Sequence, residues 1–181
     1  MFIGDTEQAI SHYQASLGRH GLSYEKGEHA EIQRFSLTGP KGTETAHVDG
    51  GDEVTFAIEV EFWEPSARPV FWLWITHAET AQLVYGEGSP GAPSVRAGDR
   101  LRCEIRLRVA LPTGQYTANG YVVMAPGRLD EASSATPISF FVTGRPTVAG
   151  VADLSAAFDV SPLEGGPSGN GQPSVVLEPE A

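Results

Sequence analysis

Arg68-Pro69-Val70-Phe71-Trp72-Leu73-Trp74-Ile75 is the stretch on which the fold turns. Proline is tolerated at the start of a β-strand, and β-branched and aromatic residues follow it at once. Side chains alternate along a strand. Phe71, Leu73 and Ile75 therefore share one face, and Val70, Trp72 and Trp74 share the other. The first set is ordinary core. The second sends two indoles the opposite way, where an antiparallel sheet normally meets water. Three partners can explain them: a second sheet, another subunit, or a flat ligand such as a sugar ring.

Outward from this strand the chain alternates short apolar runs with turn signals. Strands are predicted over residues 29–37, 43–48, 53–63, 70–77, 82–85, 100–110, 115–124, 138–143 and 154–160. Turns fall at Thr38-Gly39-Pro40-Lys41-Gly42, Asp49-Gly50-Gly51-Asp52, Gly88-Ser89-Pro90-Gly91 and Ala97-Gly98-Asp99. Strands at this spacing without intervening helices predict an all-β antiparallel sandwich, Ig-like or jelly roll. Two strands alternate cleanly. Val54, Phe56, Ile58, Val60 and Phe62 oppose Thr55, Ala57, Glu59, Glu61 and Trp63. Leu101, Cys103, Ile105, Leu107 and Val109 oppose Arg102, Glu104, Arg106 and Arg108. Cys103 reads as a small buried apolar residue rather than a reactive thiol.

Three segments are expected. Residues 1–28 hold a short helix over 5–17 and a linker. Asp5 caps the helix, Gln8 follows three residues later, and Ala9, Ile10, Tyr13 and Leu17 form its stripe. Residues 29–160 form the sandwich. Residues 161–181 contain eleven Gly, Pro or Ser and three acids without a base, the composition of a disordered tail.

Composition narrows the function. The 181 residues carry 23 acids against 12 bases, a net charge of −11. Duplex nucleic acid and anionic membrane surfaces are poor partners for such a chain. With one cysteine no internal disulfide can form, which suits a reducing compartment. No stretch approaches the roughly 20 apolar residues of a membrane span. The N-terminus lacks the basic and apolar regions of a signal peptide, so the expected location is cytoplasmic.

The usual enzyme signatures are missing: no P-loop, no dinucleotide fingerprint, no nucleophile elbow and no His-Glu-x-x-His. His29 with Glu31, or His47 with Asp49, are pairs too short to specify a metal, and no cofactor is expected. Glu59 and Glu61 lie two apart on one strand face, as a glycosidase pair would, but a solvated strand face is the simpler reading. What remains is binding chemistry. Indole stacks on the apolar face of a sugar, while carboxylates and amides bond its hydroxyls. The candidate carbohydrate site is Trp72, Trp74, Trp63, Glu59, Glu61, Asn119 and Tyr121, with Thr117 beside the last two. A hairpin joining strands 53–63 and 70–77 through Glu64–Pro69 would make these residues converge. Burial of Trp72 and Trp74 in the core or a dimer interface is the alternative.

The order of several motifs adds to this. A strand from Ala30-Glu31-Ile32 runs to Gly42. Gly51-Asp52-Glu53-Val54-Thr55-Phe56-Ala57-Ile58 follows, then Arg68-Pro69-Val70-Phe71. Leu111-Pro112-Thr113-Gly114-Gln115-Tyr116 and Phe140-Phe141-Val142 complete the series, with Gly150 soon after. In this order over roughly residues 29–160 the chain resembles the C-terminal glycan-binding domain of the Wzt-type ATPase subunit of bacterial polysaccharide (O-antigen) ABC transporters. Residues 5–17 resemble the segment that joins ATPase and glycan-binding domains there. The resemblance implies a cytoplasmic, usually dimeric sandwich that recognises the modified non-reducing end of a lipid-linked polysaccharide before export. Its partners would be the transporter's ATPase and membrane subunits, at the inner face of the cytoplasmic membrane. It also implies that the region after Gly150 can exchange as a strand between subunits. No ATPase domain is present in the sequence, which suits a fragment or a separate binding subunit. Trp72 stands where the family often has a small residue, so no binding residue is carried over by position.

Overall fold

The computed structural model describes residues 29–125, 133–144 and 156–163. The helix expected over residues 5–17 and most of the expected tail lie outside these. Within them the chain is all-β. Ten strands run in order: β1 (Ala30–Thr38), β2 (His47–Asp49), β3 (Glu53–Phe62), β4 (Val70–His77), β5 (Leu83–Gly88), β6 (Arg100–Arg108), β7 (Gly114–Val123), β8 (Ser133–Ser134), β9 (Ile138–Thr143) and β10 (Ala157–Pro162).

The strands form two sheets. The first has the order β1-β3-β6-β10, antiparallel throughout. The second has the order β2-β9-β7-β4-β5, with β8 also paired to β7. Its one departure from antiparallel pairing is β2, which runs parallel to β9. Alternation explains how the sheets meet. The apolar face of β3 turns inward with Phe56, Ile58, Val60 and Phe62, and β6 adds Cys103 and Ile105. Phe71, Leu73, Ile75, Tyr116, Phe140 and Val142 answer from the second sheet, all at most 3% exposed. Phe56 and Phe140 meet edge to face across the interior with centroids 5.9 Å apart, a favoured aromatic arrangement. Gly120 also faces inward. A Cβ there would lie 3.1 Å from Ile58 Cδ1, so the close approach of the sheets depends on its absence.

Cys103 is fully buried, and burial pushes its thiol far above the usual cysteine range. Two buried serines bond backbone carbonyls far away in sequence: Ser66 Oγ donates to Met124 O, and Ser133 Oγ to Ala30 O at 2.6 Å. Each gives a buried hydroxyl the partner its burial requires.

One topological expectation is overturned. β3 and β4 do not pair as a hairpin. The neighbours of β3 are β1 and β6, and those of β4 are β7 and β5. The link through Ser66 carries the chain from one sheet to the other. The physical reason is that β3 and β4 each have a strongly apolar face. Opposing these faces across a core removes both from water, whereas side-by-side pairing would leave both needing cover. β10 runs to Pro162, so the last described strand extends into the segment expected to be tail.

Candidate functional site

The outward face of the second sheet carries the aromatic constellation. Its outward residues on β4 and β7 are partners in register: Trp72 opposite Tyr121, Trp74 opposite Asn119, and Thr76 opposite Thr117. All six are half-buried, whereas Phe71, Leu73 and Ile75 between them are fully buried. The tryptophans are therefore not core. The other sheet packs against the opposite side of β4, which removes a second sheet from the three partners considered for them.

Edge strand β5 decides how the indoles lie. Trp72 pairs with Gly88 and Trp74 with Gly86. A Cβ on Gly88 would sit 2.7 Å from Trp72 Cε2 and 2.9 Å from its Cδ2 and Cζ2. On Gly86 it would sit 3.3 Å from Trp74 Cδ1. Each indole thus lies over a glycine of the neighbouring strand instead of standing out from the sheet. Tyr121 meets Trp74 edge to face at 4.8 Å and 62°. The result is a low aromatic platform with the Asn119 amide beside it.

The remaining sequence-predicted site residues lie elsewhere. Glu59 and Glu61 are on the outer face of the first sheet, across the sandwich from Trp72 and Trp74. The Glu59 carboxylate accepts from Arg102 Nη1 at 2.7 Å. Arg102 Nε also donates to Glu104 at 3.1 Å, and Arg106 Nη2 to Glu104 at 2.9 Å. Bonds from Arg106 and Arg102 hold the Glu104 carboxyl below its usual range despite partial burial, which acts the other way. Arg102 and Arg106 of β6 therefore form a salt-bridge ladder with neighbouring acids. Trp63 follows β3 at the end of the same sheet, 36% exposed. The structure brings together Trp72, Trp74, Asn119, Tyr121 and Thr117; it does not bring Trp63, Glu59 or Glu61 to them.

Sequence reasoning missed Gly86 and Gly88. The signal is present, since Tyr85-Gly86-Glu87-Gly88 alternates glycine in a strand, a mark of close approach by another group. Ser89, Pro90 and Gly91 directly after it make Gly88 look like the start of a turn.

The two outer faces differ in chemistry. The first sheet shows alternating acids and arginines. The outward positions of β4, β7 and β9 show no charged side chain; they carry indole, phenol, amide, hydroxyl and phenyl groups. Among the described residues no group of three or more His, Cys, Asp or Glu gathers as a metal site, and no helix is long and apolar enough to cross a membrane. His29 Nδ1 contacts Glu64 Oε2 at 2.9 Å, and His47 lies against Phe141 with ring centroids 6.3 Å apart.

Fold and face together define a two-sheet sandwich with an uncharged aromatic platform on one outer surface. The sequence pattern of the Wzt C-terminal domain matches residues 23–154, and the chain belongs to that family. A crystal structure of the C-terminal domain of Wzt superposes with a TM-score of 0.59 at 21% identity, covering 72% of this chain and 82% of that one. That likeness establishes the fold. A Pseudomonas fluorescens alkylpurine DNA glycosylase, AlkC, bound to DNA with an abasic site analogue aligns at TM-score 0.46 and 12% identity. It covers 72% of this chain and 34% of its own. A CARDB domain from Pyrococcus furiosus in complex with di-metal ions aligns at TM-score 0.39 and 13% identity, covering 67% and 99%. Neither bears on function. No curated protein sequence matches the chain.

Proposed function

We propose that this domain binds carbohydrate on the outer face of its second sheet, in the service of polysaccharide export by an ABC transporter. The observation that carries the reading is the pair of indoles laid flat over Gly86 and Gly88 beside Tyr121 and Asn119. Flat aromatic surface suits the apolar face of a pyranose, and the amide and hydroxyl groups around it suit the ring's hydroxyls. Membership of the Wzt C-terminal domain family supports the same role. Within it, the ligand is the modified end of a lipid-linked polysaccharide of O-antigen type, read before export. The domain acts without catalysis on the cytoplasmic side of the membrane, as a homodimer beside the transporter's ATPase and membrane subunits. Exchange of the strand after Gly150 between protomers belongs to the same reading. The same reading keeps the expected division into residues 1–28, a sandwich from residue 29 and a C-terminal segment, with β10 carrying the sandwich to Pro162.

Isothermal titration tests this. The probe is polysaccharide released by mild acid from the organism that encodes the chain. Binding is expected, and Trp72→Ala and Trp74→Ala each weaken it. Unchanged affinity in both variants refutes the site. The uncharged surface also suits a subunit interface. That reading predicts a dimer broken by Trp72→Arg and no glycan affinity, and light scattering separates the two.

A further inference from the structure

The aromatic platform is one end of a longer surface. Along β7 the outward residues continue from Tyr121 and Asn119 to Thr117 and Gln115. Thr117 is flanked by Thr76 on β4 and Ser139 on β9, and Gln115 by Phe141. Phe141 is 37% exposed and outward-facing, while its neighbours Phe140 and Val142 fill the core. It leans on His47 of the adjacent β2 at 52° between rings. His47 also lines a cleft with Pro40, Lys41, Glu44, Asp49 and Thr143. The face therefore reads aromatic platform, ladder of hydroxyls and amides, second aromatic ring, cleft.

The spacing follows from sheet geometry. Asn119 and Gln115 are four residues apart, about 13 Å along the strand. Trp74 lies one strand to one side of β7 and Phe141 one strand to the other, adding about 10 Å across. The two aromatic groups are thus about 16 Å apart along a diagonal, by the same spacings. That distance exceeds one pyranose ring and suits several linked units.

Resting on the carbohydrate reading above, we infer that Phe141, with His47, is a second sugar subsite, so that the domain holds an oligosaccharide stretch and not a terminal sugar alone. The terminal unit sits over Trp72 and Trp74. The following units run across Thr76, Thr117 and Ser139, whose hydroxyls both donate and accept. A unit further in stacks on Phe141 beside the cleft. An uncharged glycan is the occupant that fits, because the path crosses no charged side chain until β2.

The test uses the full chain and the same released polysaccharide, cut to a graded length series that retains its natural non-reducing end. Wild-type affinity rises with length until the fragment spans the face, then levels off. Phe141→Ala weakens the long fragments about twofold to tenfold and leaves the shortest unchanged, the range of one lost aromatic contact. Trp74→Ala weakens every length. Phe141→Tyr, which keeps the ring, retains the length dependence. Wild-type affinity independent of length overturns the subsite, as does a Phe141→Ala variant with unchanged long-fragment binding. If Trp72→Ala and Trp74→Ala are also without effect, or no fragment binds the wild type, the carbohydrate reading falls with it.

Discussion

Gly88→Ala separates binding from folding. The added Cβ would lie within 3 Å of three ring atoms of Trp72, closer than carbon atoms approach without displacement. The indole must leave its seat over β5. The stability effect is small because two contributions oppose. The Gly88 backbone is not left-handed, so alanine there gains about 0.4–1 kcal/mol by restricting the unfolded chain. Against this stand the contacts of a half-buried indole, at ~0.1–0.2 kcal/mol for each atom pair lost. Net stability should stay within about 1 kcal/mol of wild type. Affinity should not. Losing one stacking surface costs about 0.5–1.5 kcal/mol, or about twofold to tenfold in Kd. At Gly86 the approach is looser, 3.3 Å from an added Cβ to Trp74 Cδ1, so Gly86→Ala should move the ring less and weaken binding less. Urea denaturation, tryptophan emission and titration with released polysaccharide read the three quantities. A Gly88→Ala protein with unchanged emission and affinity refutes the reasoning, as does a larger loss in Gly86→Ala.

Three further outcomes follow from the interior and the ladder. Gly120→Ala places a Cβ 3.1 Å from Ile58 Cδ1 and 3.2 Å from the Phe35 ring, so overpacking should cost about 1–3 kcal/mol in urea denaturation. Glu104 has a folded pKa below its unfolded one, so its contribution is present above the unfolded value and lost as pH falls through the folded one. Acid titration from about pH 5 downward should therefore lose stability, and Glu104→Gln should flatten that slope by under ~1 kcal/mol, less in high salt. Cys103 should react with a disulfide reagent only as fast as the native chain opens, because its thiol is buried and pushed up; rapid native labelling would contradict this.

The fold was legible where side-chain alternation was strict. β4 and β9 match the predicted spans, and the inward set of β3 is the one its pattern showed. β2 was legible as a strand but runs later than expected, since Thr43 and Thr45 serve the loop; Gly39 N donates to Thr43 O and closes it. The two-residue β8 carries no periodicity to read. The arrangement of the candidate site was half legible. Trp72, Trp74, Asn119 and Tyr121 follow from alternation on two strands. Which strands pair does not, because pairing is decided by burial across the whole domain. Hence Glu59 and Glu61, correctly placed on an outer face, belong to the outer face of the other sheet. Phe141 is visible in sequence only as part of a strand motif, since its exposure depends on what covers β9.

Residue-resolved chemical shifts test the central claim most directly. Isotope-labelled protein titrated with the released polysaccharide should show the Trp72 and Trp74 indole N–H signals and the amides of β4 and β7 moving together, with β6 and β10 still. Shifts confined to the first sheet, or none at saturating polysaccharide, would contradict the account.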